Sequence, residues 1–322
     1  MSMKRLPFPS WRIAYRYRKG VTVTEVVVVI GIISLLAALI IPAVLSAREG
    51  SRKTTCRNHL RQQSIGLQGF LDSHGRFPEI GGPNPGPGGK TSFFFQLLPY
   101  VDQRNLYELP AKLGVSMHSE QIRKKRPTIF TCPSDPENHT SPSSVNYAHN
   151  EGWVEKGATI KPPNTMMYPN GIMFQGLDPN RAIRPAQIRD GMSNTAAIAE
   201  ILITPASERK NSSDRRAIFG TRAHPLRNTP LEMYEDCSKS LTGGGGWRGR
   251  SWTSFAPWST AYNHVMPPDS RNCDLLYSAM NNHGGIVHVA LCDGSVRPFS
   301  SSIDVSVWQA VGTRDSGDSV QF

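Results

Sequence analysis

The chain has 322 residues, of which 38% are hydrophobic, and a formal net charge of +11. This length and apolar content suffice to bury a sizeable core, which excludes a disordered chain. Six Lys and Arg residues and no acid lie in the first 20 positions, and removing these six charges from +11 leaves about +5 for the remainder. The basic charge is thus largely N-terminal, which favours a membrane-orienting segment over a nucleic-acid-binding surface.

An uncharged apolar run follows the basic segment. Residues 26–45 carry no charged side chain, and as a helix they reach about 30 Å, the thickness of the hydrocarbon core of a bilayer. The run therefore predicts a transmembrane segment at about 26–45. A cleaved secretory signal is the alternative, because Ala43 and Ala47 form a weak small-residue cleavage site.

A single acid, Glu25, lies just before this run. An unpaired acid costs roughly 2.5–3.5 kcal/mol at the centre of a membrane helix and less near its edge. The position therefore predicts a partner for the carboxylate. The alternative is that the carboxylate sits in the first helical turn because the helix dipole favours it there.

Gly20 ends the basic segment, and Glu25 follows five residues later. This segment, GVTVTE, resembles the N-terminal segment of type IV pilins and pseudopilins. The resemblance implies that a prepilin peptidase/methyltransferase cuts after Gly20 and methylates Val21, leaving the helix in the inner membrane. It also implies that Glu25 pairs with the Val21 amine of a neighbouring pilin-like subunit and sets the assembly register. At the position after the cut, this chain has Val21 where type IV pilins more commonly have Phe. Pro42 lies where pilins often carry a proline that kinks the helix.

The helical pattern continues beyond the apolar run. Cys56, Leu60, Leu67 and Leu71 are spaced as one face of an amphipathic helix, which should pack on a globular domain. The helix should end near Gly75, because glycine caps helices and Pro78 follows closely. One long helix over 21–75 is predicted.

The remaining chain has short segments broken by Pro, Gly, Asn and Asp, which predicts β-structure with long irregular connections. The apolar run at 92–100 is compatible with a strand or a short buried helix. The strongest strand pattern is at 286–292, where Asp293 and Gly294 form the dipeptide of a tight hairpin turn. The second strand should start at Ser295 or Val296, and Pro298 should place it at a sheet edge or end it early.

An ordered series of motifs resembles the large pseudopilin-like proteins of Planctomycetes known as the DUF1559 family, also described as a solute-binding family. Two departures are Cys292, where the family usually has Ala or another small residue, and Pro298, which displaces an aromatic residue. The resemblance implies an α+β, pilin-like fold, with one long helix on a β-rich domain. The matching segments lie at 56–78, 97–107, 132–135, 144–150, 188–200, 248–252 and 282–304.

No enzyme is predicted. The chain contains no His-Glu-x-x-His, no Gly-x-x-x-x-Gly-Lys phosphate loop and no Gly-x-Ser-x-Gly elbow. The segment DGMSNT at 190–195 places Ser193 after a glycine and a methionine, but a turn with local side-chain hydrogen bonds explains it better than a nucleophile.

Metal and cysteine patterns are weak. The spacing of His283, His288 and Asp293 fits no zinc template, so no metal is predicted there. Calcium remains an alternative, with Asp269, Asp274 and Asp293 as possible ligands without a regular loop. If the domain is exported, the five cysteines allow up to two disulfides with one thiol left over, and their spacing does not give the pairing; burial as small apolar residues is the alternative. The five are Cys56, Cys132, Cys237, Cys273 and Cys292.

One glycine-rich segment combines arginines with tryptophans. Trp247, Arg248, Arg250 and Trp252 could form a ligand surface that stacks on bases or sugars. A nucleic-acid role fits poorly with an exported domain of modest charge, and aromatic packing across a glycine-rich bend is the alternative.

The predicted organisation is a basic leader at 1–20, the helix at 21–75 and an extracytoplasmic β-rich domain at 76–322. The predicted function is a non-enzymatic pseudopilin-like subunit, processed after Gly20, that assembles through its apolar helix into a type IV pilus-like or type II secretion-like filament. The alternative is a membrane-tethered solute- or glycan-binding protein that does not polymerise.

Overall fold

The structure is a computed structural model that describes residues 20–82, 86–87, 89–139, 141–153, 170–173, 182–204, 214–219, 229–240, 243–244, 246–273 and 276–317. The chain divides into two units, Met1–Arg48 and Glu49–Phe322. The second unit, called the head unit below, includes the C-terminal half of the first helix. Of the predicted leader at 1–20, residues 1–19 lie outside the described residues.

Seven α-helices and eight strands are defined in the described residues. The helices are α1 Val23–His74, α2 Phe93–Leu97, α3 Arg104–Leu113, α4 Glu120–Arg123, α5 Pro230–Lys239, α6 Pro257–Thr260 and α7 Val305–Val311. The strands are β1 Tyr147–Asn150, β2 Ala196–Glu200, β3 Ile218–Phe219, β4 Gly243–Gly244, β5 Ala261–Tyr262, β6 Asn272–Cys273, β7 Ile286–Leu291 and β8 Val296–Ser300.

Helix α1 is 52 residues long and includes Pro42. It ends where the sequence predicts: the Gly75 N–H donates to the Leu71 carbonyl at 2.7 Å, and Gly75 has a φ of 65°, which glycine adopts at little cost. The predicted apolar face is buried, since Cys56, Leu60 and Leu67 have no exposed surface. Burial of this face, rather than helix propensity alone, fixes the C-terminal half of α1.

The main sheet has five strands in the order β5-β1-β2-β7-β8. Strands β1, β2, β7 and β8 pair antiparallel in that order, and β5 runs parallel to β1. A second sheet has the order β4-β3-β6. Short strands separated by long connections confirm the predicted α+β class with a β-sheet head and irregular loops.

The two faces of the main sheet pack on different cores. One core joins Leu60 and Leu67 of α1 to Ile198 of β2 and to the three consecutive phenylalanines of α2. The other joins Val287 and Val289 of β7 to Trp308 of α7. The segment at 92–100, whose sequence is compatible with a strand or a short helix, is helical. Helix α2 is followed by a 3₁₀ turn at Leu98–Tyr100, and Ser92 caps α2 by accepting from the Phe95 N–H at 3.1 Å.

The C-terminal hairpin matches the prediction. Strand β7 is followed by Asp293 and Gly294, and β8 starts at Val296. Gly294 has a φ of 93°, which explains why the turn needs glycine. Pro298 lies within β8, which is one of the two edge strands of the main sheet. An edge strand has no partner on its open side, so a missing N–H there breaks no hydrogen bond between strands.

Candidate functional site

The first turn of α1 holds Glu25 through its own backbone. The Thr22 N–H and hydroxyl both donate to Glu25 Oε2, at 2.8 and 2.9 Å, and the Glu25 N–H donates back to the Thr22 hydroxyl at 3.3 Å. This reciprocal pair is a capping box, which satisfies two donors at the start of the helix. Glu25 Oε1 takes part in neither bond. Gly20 and Val21 precede the helix and are exposed.

The apolar segment that follows is exposed to solvent. No residue of 23–48 is buried, and Leu35, for example, is 65% exposed. Within the described residues, α1 is the one helix long and apolar enough to cross a membrane. A signal sequence meets the same criterion, so the helix alone does not separate a retained anchor from a cleaved signal. The predicted kink at Pro42 stays a prediction.

The hairpin turn at Asp293 and Gly294 lies against the C-terminal half of α1. Ser64 Oγ donates to the Gly294 carbonyl at 3.0 Å, and Gln68 Nε2 donates to the Cys292 carbonyl at 2.9 Å. Asp293 stabilises the turn by accepting from the Ser295 N–H and hydroxyl. The hairpin therefore attaches the sheet to the helix.

The four residues of the predicted ligand surface do not share one exposed face. Arg248 and Trp252 are fully buried, and the Trp252 indole N–H donates to the Arg123 carbonyl at 2.9 Å. Trp247 is exposed, with the Arg250 guanidinium 5.3 Å from its ring. The prediction of a single stacking surface is corrected accordingly, because Trp252 packs among core aromatics as the alternative expected.

Arg248 is buried against carbonyl oxygens. Its guanidinium donates to the carbonyls of Ala261 and Ser278, at 3.0 and 2.6 Å, and lies over the Tyr277 ring. Burial lowers the pKa of Arg248 to about 9. Its role is to hold β5 and the chain at Ser278 together.

Two disulfides form, Cys56–Cys132 and Cys237–Cys273, and Cys292 is a free, buried thiol. This agrees with the expected maximum of two bridges and one thiol. Burial and the nearby Asp293 charge raise the pKa of the Cys292 thiol well above its usual value. Cys56–Cys132 joins α1 to the loop before β1, across 76 residues.

A buried histidine lies against the Cys56–Cys132 disulfide. His283 Nε2 is 3.4 Å from Cys132 Sγ, and its Nδ1 is 2.9 Å from Glu49 Oε1. Glu49 Oε1 also accepts from the Ser134 hydroxyl at 2.8 Å. Partial burial alone would raise the pKa of the Glu49 carboxyl. The hydrogen bonds from His283 and Ser134, together with the electrostatic attraction of His283 and Arg52, outweigh burial and lower that pKa below its usual value.

A buried carboxylate completes this cluster. Glu200 Oε2 accepts from the Asn281 side-chain amide at 2.6 Å and the His288 N–H at 2.8 Å, and lies 3.2 Å from His288 Nδ1. Glu200 Oε1 is 4.0 Å from His283 Nε2, is buried, and has no hydrogen-bond partner among the described residues. We call Cys56, Cys132, His283 and Glu200 the cysteine–histidine cluster.

The sequence did not reveal this cluster. The spacing of His283, His288 and Asp293 fits no zinc template. The fold does bring the rings of His283 and His288 to 6.5 Å between centroids, whereas Asp293 bonds within the hairpin turn. It also places His283 against two cysteines and Glu200. The two cysteines are 76 positions apart, and Glu200 ends an otherwise apolar strand. A charged residue at a buried strand position was the available signal.

The calcium alternative stays a prediction. Asp269 pairs with Arg215 and accepts from the Asn281 N–H, whereas Asp293 accepts from Ser295. Asp274 lies outside the described residues.

The fold and these sites define an α+β protein with a disulfide-bonded β-sheet head and, in the part of the chain that the structure describes, one helix long and apolar enough to span a membrane. The chain belongs to the DUF1559 family, described as a protein of unknown function, whose family model matches residues 45–306. No curated protein and no solved structure matches the chain. The family match begins at the end of the apolar run, covers the packed half of α1 and most of the head unit, and ends within α7.

Proposed function

We propose that this protein is a non-enzymatic, pilin-like subunit that is cut after Gly20 by a prepilin peptidase/methyltransferase and assembles through its apolar helix. The observation that carries the proposal is a single helix whose first 26 residues, 23–48, contain no buried side chain, whereas its second half forms part of the head core. An exposed apolar surface of this size needs lipid or other apolar helices around it.

Retention in the inner membrane and packing in a filament both supply such surroundings. The basic residues at 4–19 favour a cytoplasmic leader and an extracytoplasmic head. The two disulfides support export of the head, because disulfides persist in oxidising compartments. The partners are the peptidase, the inner membrane and other pilin-like subunits; no nucleic acid is involved.

The capping box sharpens the role of Glu25. Thr22 occupies Oε2, so the assembly contact falls to Oε1, which accepts the free amine of Val21 from a neighbouring subunit after cleavage. The Glu25 carboxylate then caps the N-terminus of its own helix through Oε2 and sets the register of the neighbouring subunit's helix through Oε1.

The test separates these two roles by substitution. Glu25→Val removes both roles, Glu25→Gln keeps an acceptor but removes the charge, and Thr22→Val removes the hydroxyl partner but keeps the charge. We expect all three to be cut after Gly20 and inserted, and filaments to form only from the wild type and Thr22→Val. Sheared filaments are quantified by immunoblot against membrane-retained protein.

Normal assembly of Glu25→Val would refute the register role of Glu25. The processing step is checked by mass spectrometry of the mature N-terminus, where the expected product starts at methylated Val21. An intact leader, or a start near residue 48, would refute pilin-like processing.

A tethered binding protein is the second candidate, and a cavity in the head unit favours it. The cavity, of about 540 Å³, is lined by Tyr100 and Tyr107 together with the charged side chains of Arg76, Glu79 and Arg104. Aromatic faces beside paired polar groups suit a solute or a glycan. Correct processing with wild-type protein that stays dispersed in the membrane, in cells that carry an assembly system, would favour this candidate.

A further inference from the structure

We propose that the cysteine–histidine cluster is a zinc site when Cys56 and Cys132 are reduced, with Cys56 Sγ, Cys132 Sγ, His283 Nε2 and Glu200 Oε1 as the four ligands. The cluster then has two closed states, a disulfide and a metal centre. Two thiolates, an imidazole and a carboxylate form a donor set that Zn²⁺ binds tetrahedrally.

The distances are close to those of a tetrahedral site. The ligand atoms of Cys56, Cys132 and His283 lie within 4.8 Å of one another, and Glu200 Oε1 is 4.0 Å from His283 Nε2. Neighbouring ligand atoms around tetrahedral zinc are separated by about 3.3–3.8 Å, given its usual bond lengths. Reduction breaks the S–S bond and lets the two sulfur atoms separate toward this spacing.

Glu200 supplies the independent sign of a missing ligand. Its side chain is 2% exposed, and its three hydrogen bonds, from Asn281 and His288, all fall on Oε2. His283 Nε2 lies 4.0 Å from Oε1, beyond hydrogen-bond distance. A buried carboxylate oxygen without a partner costs free energy. A cation next to Oε1 would remove that cost.

The orientation of His283 also suits a metal. The Glu49 carboxylate only accepts, so His283 Nδ1 carries a proton, and in the neutral ring the lone pair of Nε2 faces Cys132. A carboxylate behind the second ring nitrogen is the common outer arrangement of histidine zinc ligands. Glu49 is 41% exposed and offers a route for the ion from solvent.

The redox step requires a dithiol reductant of the cell envelope. The reductant forms its own disulfide and passes two electrons and two protons to Cys56 and Cys132. Zn²⁺ then displaces the two thiol protons into solvent. In the return step an oxidised disulfide carrier of the cell envelope accepts two electrons from the two thiolates and two protons from solvent and becomes a dithiol. The Cys56–Cys132 disulfide then re-forms and the ion is released.

The test uses the full chain in detergent, in a Cys237→Ser/Cys273→Ser background that removes the second disulfide. The protein is freed of metal, and its Cys56–Cys132 disulfide is reduced with a phosphine. The phosphine gives two electrons to the disulfide, and water supplies the oxygen of the phosphine oxide and the two thiol protons. Titration with Co²⁺ should give thiolate-to-cobalt charge-transfer bands and tetrahedral d–d bands that saturate at one ion per chain and are abolished by Zn²⁺. The oxidised protein should give none.

Variants assign the ligands. His283→Ala and Glu200→Gln should each weaken Co²⁺ binding by about 10-fold or more, and Glu49→Gln by about 10-fold, in the range seen for supporting residues. Glu108→Gln, in a surface ion pair with Lys112, is the matched control and should bind unchanged. Equal binding by the parent, His283→Ala and Glu200→Gln would overturn the proposal.

Protection of the thiols provides a second measurement if a variant folds poorly. In the reduced parent, Zn²⁺ should slow alkylation of Cys56 and Cys132 at least about 10-fold by peptide mass spectrometry. Absence of both cobalt bands and zinc protection in the reduced parent would also overturn the proposal, whether or not reduction loosens the fold.

Discussion

The two halves of α1 share one helix but meet different surroundings. In residues 23–48 no side chain is buried, whereas Cys56, Leu60 and Leu67 in residues 49–74 have no exposed surface. Composition explains the difference: the first half is apolar on all sides and the second half on one face. A helix that is apolar all round needs apolar surroundings along its whole surface, whereas a helix with one apolar face needs only a core on that side. The head can therefore fold on the second half while the first remains free to enter lipid or pack with other helices.

The largest expected difference between the two halves is in the cost of truncating a leucine to alanine. Leu60→Ala should lower the free energy of unfolding of the head by about 2–5 kcal/mol, because it leaves a cavity between α1 and the sheet. Leu35→Ala, at an exposed position, should change it by less than about 0.5 kcal/mol. Urea unfolding of the full chain in detergent, followed by near-UV circular dichroism, measures both. Equal losses would show that the first half also contributes to the head core.

Replacing a helical glycine of α1 by alanine should change the stability of the head in opposite directions at two positions. A Cβ at Gly66 would lie 2.6 Å from Val101 Cγ1, whereas a Cβ at Gly50 meets no atom within 4 Å. Gly66→Ala should therefore cost about 1–3 kcal/mol through overpacking. Gly50→Ala should stabilise by about 0.5–1 kcal/mol, since alanine favours the helix.

The same unfolding experiment checks this pair, with Gly31→Ala in the apolar half as a control expected to leave head stability unchanged. A stabilising Gly66→Ala would mean that the turn carrying Val101 moves away from α1 at little cost. It would contradict the close approach of these two segments.

Much of this architecture follows from local sequence patterns. The spacing of Leu60 and Leu67, the glycine at 75 and the Asp293-Gly294 turn each act within a few residues, and each predicted its element correctly. The helix at 93–97 was undecided, because a run of three phenylalanines has no period that separates a buried helix from a strand.

The candidate sites depended on contacts that are distant in sequence. The GVTVTE segment is local, so Gly20, Val21 and Glu25 could be named, although the bonds from Thr22 were not foreseen. The cysteine–histidine cluster joins residues from α1, β2 and two loops, and no spacing encodes it. The alternation of arginine and tryptophan predicts a ligand surface that includes Arg248 and Trp252, because composition carries no information on burial. The fold places both side chains in the interior.

The smallest predicted effect concerns the hydrogen bonds that join the packed half of α1 to the hairpin. Gln68→Ala removes the donor to the Cys292 carbonyl and should lower the free energy of unfolding by about 0.5–1.5 kcal/mol, the usual net value of one such bond. Gln62→Ala, at an exposed position of the same helix, is the matched control and should change it by less than about 0.5 kcal/mol. Amide hydrogen exchange should locate the loss, with faster exchange in β7 and β8 for Gln68→Ala alone. Unchanged exchange there would mean that the hairpin is held by the apolar core and not by its hydrogen bonds to α1.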